Sequence, residues 1–523
     1  MLDAQTSQRP PQASARQPEV AKTGDHLPLD AWIAATLIAI LLAWFKLANP
    51  YGKVPTRLWL AMVVTAVGVA PLLLWMRNPR RGRLPVFQLH CVFYAFSFGL
   101  VGFLDDVSTL NRDVSETYMQ AAQWAALLAL TSLIGGFYVA GHLLGKRLPP
   151  CRAIMPVTPG DLGWIAWGLY PLVVLLALRT RVLAIPYVSQ SFTGLQDFLF
   201  LFLTTCLVAG AWRSAGRLLY VFIYLPLLLL VGIAAGNISS STVPAMLVCM
   251  LYMSFRRRVP WVFLALIAAC FVILQPVKGA YRQTAWRGEA SLGVLEGAKM
   301  FFSLGYEELF GNQVSGRRVA LTEAMEKTFA RMNHLHVTGA VIEDTPSVEP
   351  FLKGQTYLPL LTKWIPRAVW SNKPQERLGN EWAQRYGYLG EEDFGTSFNL
   401  PWLTEMFINF GWLGVFGIHL AVGFGFRALH QLFLDRPVSL ADAAFGLTIT
   451  AALVIVESNL SLLIGRWAIS MISLMAFAVV LRSVRRAPNQ EPVTAGGKRR
   501  VSNAPRRSGN DDRGLVARSQ RMP

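Results

Sequence analysis

The residues with the clearest chemical potential lie between positions 353 and 412. In SFNLPWLTEMFINFGW, Glu405, Asn409 and Trp412 recur at spacings of four and three. On a continuous helix these put a carboxylate, an amide and an indole on one face, with Trp402 a turn earlier. An acid inside an apolar run is a functional-site hypothesis by default, because burying its charge is expensive. The alternative is an acid at a helix start, stabilised by the dipole and reached by head-group water. Upstream, KGQTYLPLLTKWIPRAVWSNKP packs four Lys/Arg, three Pro and the large aromatics Tyr357, Trp364 and Trp370 into one stretch. A helix on either side of Pro366 sets Lys363 and Arg367 one turn apart with Trp370 close to the same face. Two cations beside a ring suit a phosphate and a sugar; they equally suit an interfacial helix at head-group level.

Further charges cluster beside apolar runs: Arg179 and Arg181, then Lys278, Arg282 and Arg287, then Glu457. Each alone also reads as a snorkelling side chain. His334 and His336 form an HxH pair, but on a helix they point about 200° apart, so the spacing favours solvated loop histidines over a shared metal. No phosphate-binding glycine loop, dinucleotide fingerprint, HExxH or nucleophile elbow is present in the sequence.

These residues need a scaffold, and the composition says which. Of 523 residues, 53% are hydrophobic and 15% charged, against about 25% charged in a soluble domain. Apolar runs of membrane-crossing length fall near 31–48, 57–76, 86–104, 119–144, 161–178, 195–212, 217–235, 238–255, 259–275, 401–429, 438–456 and 460–482. The expected fold is therefore an all-α integral membrane protein of about twelve transmembrane helices. Nine precede a long segment, 276–400, and three follow it.

Lys and Arg in the short loops set the orientation. Arg77, Arg80, Arg81 and Arg83, then Lys146, Arg147 and Arg152, then Arg256 to Arg258, then Arg427 and Arg436 alternate with acidic or uncharged loops at 105–116, 236–241 and 457–459. Both termini are assigned to the cytoplasm and 276–400 to the outer face. That segment carries fourteen Lys/Arg and fourteen Asp/Glu, together with an amphipathic pattern of Leu321, Met325, Phe329 and Met332, and it predicts a helical loop lying on the bilayer or capping the bundle.

The formal charge of +18 is carried by short loops and by a tail, 485–523, with ten Lys/Arg against three Asp/Glu. This is topology charge, and no nucleic-acid face is read from it. Residues 1–30 and 483–523 are expected to be disordered cytoplasmic ends, with no cleaved signal peptide. The five cysteines fall in apolar runs or beside a basic loop, which gives no disulfide framework.

The run GQTYLPLLTKWIPRAVWSNKP, followed by PWLTEMFINFGWLG, resembles the O-antigen polymerase (Wzy-type) family of oligosaccharide repeat unit polymerases. The shared pattern is G-x-x-Y, I-P-R-x-x-W, K-P, then Glu and Asn-Phe-Gly, across residues 354–414. The resemblance implies a C-type glycosyltransferase-like fold in the bacterial inner membrane, with 276–400 periplasmic. It implies undecaprenyl-pyrophosphate-linked oligosaccharides as substrates, no metal or other cofactor, and in such systems a polysaccharide chain-length regulator as partner. It also gives residues roles. Glu405 is the first choice of general base and His334 the second; Arg367 and Lys373, with Arg282 or Arg287, neutralise the leaving pyrophosphate, with Lys363 and Arg179 nearby. Tyr357, Trp364, Trp370, Asn409 and Trp412 bind sugars. An O-antigen ligase, a flippase and a transporter are the rival classes; against the carriers stand the lone long loop and the lack of correspondence between the two halves.

Overall fold

The computed structural model describes residues 26–48, 55–78, 84–103, 112–145, 147–148, 153–182, 186–212, 214–234, 239–271, 277, 281, 294–310, 332–362, 365, 370, 372, 377–394, 396–435 and 437–486. Every regular element among them is helical. In chain order the longer ones are α1 (Leu29–Ile40), α2 (Thr56–Arg77), α3 (Val86–Phe103), α4 (Glu116–Leu144), α5 (Pro159–Arg179), α6 (Gln190–Val208), α7 (Ala215–Leu230), α8 (Val243–Arg256), α9 (Trp261–Phe271), α10 (Val294–Phe310), α11 (His334–Asp344), α12 (Leu378–Arg385), α13 (Trp402–Leu434), α14 (Leu440–Val454) and α15 (Leu460–Arg485), with short helical turns at Gln355–Tyr357 and Leu358–Thr362 between α11 and α12. Seven of the described helices, α2 to α6, α13 and α15, are long and apolar enough to cross a membrane, and α1, α7, α8, α9 and α14 are shorter apolar helices. All lie on the apolar runs of the sequence. The chain is a multi-pass membrane protein, and its exposed Trp124, Trp167, Leu175 and Phe222 have lipid rather than water as their natural solvent.

The centre of the bundle is the crossing of α4 and α13. A Cβ on Gly136 would collide with the Leu420 carbonyl, and one on Gly423 with the Leu133 carbonyl. Backbones that touch this closely gain dispersion contacts, which is the main attraction left between helices in lipid.

Charged contacts collect at the two ends of the bundle. At one end Arg57 pairs with Glu116 at 3.0 Å, and Arg112 grips Asp344 at 2.6 Å, fastening α11 to the segment before α4. At the other, Arg427 pairs with Asp435, Arg485 with Asp161, and Asp442 accepts the backbone N–H groups of Ile154 and Met155.

The tenth apolar run is not the single straight span that its hydropathy predicts. Gly411 takes φ 61°, ψ −146° inside α13, a conformation open essentially to glycine alone. The His90 ring lies 5.0 Å from Trp402 and 4.9 Å from Phe426. A straight helix would separate those two residues by roughly 36 Å. Residues 402–410 therefore form a half-helix folded back against the remainder of α13, with Gly414 pressed on Met406 and Phe410. The expected shared face of Glu405, Asn409 and Trp412 is broken at Gly411. Glu405 and Asn409 are 0% and 1% exposed in the bundle interior, while Trp412 is 44% exposed, its ring set edge-on to Phe407.

Candidate functional site

Breaking a helix at Gly411 removes the intrahelical partners of the last carbonyls before it, and such orphans inside a bundle must find donors. The structure supplies them from the long segment. Leu352 N–H donates to the Ile408 carbonyl at 3.0 Å, and Lys353 N–H donates to the Asn409 carbonyl at 3.1 Å. The Asn409 side chain completes the latch: its Oδ1 accepts Gly354 N–H at 2.8 Å, and its Nδ2 donates to Thr356 Oγ1 at 2.8 Å and to the Glu405 carbonyl at 2.7 Å. The amide expected to meet a sugar is thus committed to holding the 354–357 turn. Gly354 makes that turn at φ +92°, and Tyr357 stacks on Phe410 with ring centroids 6.4 Å apart.

Glu405 sits one turn along the half-helix from Trp402. Its Oε2 accepts the N–H of Leu460 at 2.6 Å, so the carboxylate caps the start of α15. The dipole and the N–H at that terminus offset part of the cost of burying the acid. Trp402 N–H donates to the Val456 carbonyl, and a second irregular stretch, 455–459, therefore closes on the half-helix. Irregular backbone at such depth is tolerated where protein or a water-filled cavity satisfies it.

Tyr357 approaches Glu405 from the turn. Burial pushes its phenol above the ordinary range, and the neighbouring Glu405 and Tyr94 groups add to the shift. The hydroxyl stays protonated, and it has no hydrogen-bond partner among the described residues. A buried donor without a partner is an exception that calls for a water, an ion or a ligand.

His334 and His336 begin α11 and are buried, not the solvated loop histidines that the sequence suggests. Asn333 caps the helix by accepting His336 N–H, and Thr338 bonds to Thr404 at 2.7 Å, which ties α11 to the half-helix. The His334 ring is 6.2 Å from Phe98, whose ring stacks on Tyr94. Tyr94 and His419 are joined by a 2.6 Å bond; since His419 Nδ1 donates to the Val415 carbonyl, Nε2 is left to accept from the phenol. Hydropathy gives no hint of this buried polar seam, because each member is a single polar residue in an apolar run. Among the described residues, no three His, Cys, Asp or Glu side chains gather to hold a metal ion.

The other sequence-selected residues divide into two groups. Trp370 is 38% exposed and Arg179 is exposed at the end of α5; neither meets the Glu405 cluster in a described contact. Lys363, Trp364, Arg367, Lys373, Arg282 and Arg287 lie outside the described residues, as does the amphipathic pattern from Leu321 to Phe329.

Two cavities open beside the latch. A groove of about 490 Å³ runs between the 352–359 turn and α12, and a smaller cavity of about 220 Å³ lies among the start of α12, the 394–399 stretch and the start of α15. Arg377 and Leu378 line both. Nothing in the sequence reading singled out this pair of residues; Pro374 and the charged QERLGNEWAQR run beside it were the available signal.

A family model described as a domain of unknown function, DUF8712, matches residues 166–446. The chain belongs to this family. No curated protein and no solved structure matches it. The DUF8712 match runs from within α5 into α14 and takes in the latch, the half-helix and α12 together.

Proposed function

We propose that this chain is a membrane glycosyltransferase that polymerises undecaprenyl-pyrophosphate-linked oligosaccharide repeat units into a surface polysaccharide at the periplasmic face of the bacterial inner membrane. In this reading the chain crosses twelve times, with both termini cytoplasmic and 276–400 outside. One observation carries it. The G-x-x-Y and Asn-Phe-Gly stretches, on which the likeness to the polymerase family rests, are 55 residues apart at Gly354 and Asn409 and yet form one hydrogen-bonded unit around Glu405, with a polar groove beside it.

The reaction asks for three things. An acceptor sugar hydroxyl attacks the anomeric carbon of the donor glycan, the bond to the pyrophosphate oxygen breaks, and the hydroxyl proton leaves. Glu405 takes that proton, its carboxylate aimed by the Leu460 N–H. His334 is the second choice of base. Tyr357 supplies a protonated donor beside the reacting oxygens. Arg367 and Lys373, with Arg282 or Arg287, compensate the charge growing on the leaving pyrophosphate.

Deletion of the gene tests the reading: single repeat units capped onto lipid mean a polymerase, and Arg367→Ala and Glu405→Gln in the full-length protein each abolish polymer while leaving the protein in the membrane. Normal long-chain glycan from the deletion strain refutes it. The broken backbone at Gly411 and 455–459 favours a carrier as the second reading, since half-helix ends often build carrier sites. Cytoplasmic accumulation of lipid-linked units would select a flippase, and polymer retained but absent from lipid A would select a ligase.

A further inference from the structure

We propose that the groove between the 352–359 turn and α12 is a glycan subsite built for uncharged sugars, one that rejects acidic ones. The proposal rests on the glycosyltransferase reading for its biological setting, but its argument is the groove itself. A volume of about 490 Å³ falls inside the range of about 300–1,000 Å³ typical of small-molecule sites. Leu352, Pro359, Leu378 and the buried Trp382 give it apolar walls, which suit the C–H faces of pyranose rings.

The mouth is polar in a particular way. Gln355, Glu381 and Glu391 line it, are exposed, and carry no ion pair or side-chain hydrogen bond among the described residues. Carboxylates accept from pairs of hydroxyls, and an amide both donates and accepts. A sugar with several adjacent hydroxyls matches that set.

The charge decides the class. Arg385, which also lines the groove, is held by Glu349 at 2.6 Å and reaches the Pro350 carbonyl. Arg377 is the other lining cation. Among the described residues, Glu349, Glu381 and Glu391 outnumber Arg377 and Arg385 by one charge, and a uronic acid or a phosphate would add another negative charge. Like charges oppose binding, whereas neutral hydroxyls meet only acceptors and donors. The pyrophosphate of a lipid-linked donor must then lie elsewhere, and the groove takes the sugar end.

The latch connects groove to interior. Thr356 lines the groove and accepts from Asn409, which bonds the Glu405 carbonyl. A sugar seated here is linked through two side chains to the main chain of Glu405.

The test uses the full-length protein in nanodiscs and saturation-transfer NMR. The probes are four uncharged tetrasaccharides of different linkage (maltotetraose, cellotetraose, isomaltotetraose and laminaritetraose) and tetragalacturonate as the acidic one. At least one neutral probe gives transfer on the wild-type protein, tetragalacturonate gives none, and Gln355→Ala weakens the neutral signal about tenfold. The double variant Glu381→Gln with Glu391→Gln admits tetragalacturonate. Each variant is kept only if its thermal transition matches wild type, and Gln355, being exposed, serves where the double variant does not fold. No neutral binding, equal binding of both classes, or binding indifferent to Gln355→Ala and the double variant overturns the proposal. The two readings fail separately: polymer that survives gene deletion refutes the polymerase while groove binding stands, and polymer lost on deletion with no groove binding refutes the subsite alone.

Discussion

Asn409→Ala is the sharpest perturbation of the latch. The substitution removes three side-chain bonds, to Gly354 N–H, Thr356 Oγ1 and the Glu405 carbonyl, and leaves the two backbone bonds from Leu352 and Lys353 in place. At about 1 kcal/mol net per bond the local cost is about 3 kcal/mol. One factor of ten in an equilibrium is about 1.4 kcal/mol, so opening of the 352–357 turn becomes roughly 100-fold more frequent. Hydrogen–deuterium exchange of the full-length protein in nanodiscs reads this directly: amides of 352–357 exchange about two decades faster, while those of α11 stay as in wild type. Asn409→Asp keeps the acceptor for Gly354 but turns the donor that faces the Glu405 carbonyl into an acceptor, and it falls between wild type and alanine. Unchanged exchange at Gly354 in the alanine variant would refute the latch, and a uniform rise across the bundle would assign Asn409 to general stability instead.

Gly411→Ala forces a Cβ to about 3.1 Å from the Phe351 ring at a φ of +61°, at a cost of about 1–3 kcal/mol; the detergent-solubilised protein melts several degrees lower, and an unchanged transition argues against the kink. Gly423→Val drives side-chain carbon into the Leu133 carbonyl, and the expected result is loss of monodisperse protein in size-exclusion chromatography, with Gly425→Val, whose site is open, tolerated. Burial alone would raise the Asp435 carboxyl, but His430 at 3.6 Å and Arg427 at 2.7 Å outweigh it and hold the pKa below the ordinary carboxylate range. A depressed pKa adds stability above the unfolded-state value, and that stability is lost as pH falls through the folded one. Asp435→Asn therefore destabilises by roughly 1 kcal/mol at neutral pH, and in denaturation measured across pH the gap closes only in acid; a gap that persists at the acid end would sink the ion-pair account.

Hydropathy located the helices well and the hairpin not at all. Apolar runs report how much side chain can face lipid, so α2 to α6 and α15 appear where the sequence has them. The same measure is blind to φ, and Gly411, flanked by Phe410 and Trp412, adds nothing that an averaged window can detect. Periodicity then misled: the four-and-three spacing of Glu405, Asn409 and Trp412 presumes a continuous helix, and only the first two residues share one. His334 and His336 were misplaced for a related reason, since a short polar loop and a buried capped helix start have the same local composition. The groove was illegible because its walls come from the 352–359 turn, α12 and Glu391, which share no pattern in the sequence.

The motif residues bear on fold and chemistry in different ways. Once Gly411 breaks the helix, the carbonyls of Ile408 and Asn409 need donors inside an apolar bundle, and an unmet polar group there costs several kcal/mol. The Leu352 and Lys353 N–H groups meet that need, and the Asn409 Oδ1, accepting Gly354 N–H, holds the turn in place beside them. In this chain the Asn-Phe-Gly break and the Gly-x-x-Tyr turn therefore also meet a mechanical need of the fold, and the functional reading rests on the buried acid that the joined pair encloses. Tyr357 differs, because its burial demands no such pairing and its phenol keeps an unmet donor among the described residues. Glu405 caps α15 through the Leu460 N–H, a bond that Gln would also accept. Comparison of Glu405→Gln with Asn409→Ala separates the two: the first leaves exchange at 352–357 unchanged and, under the proposed function, abolishes polymer, and the second loosens the turn.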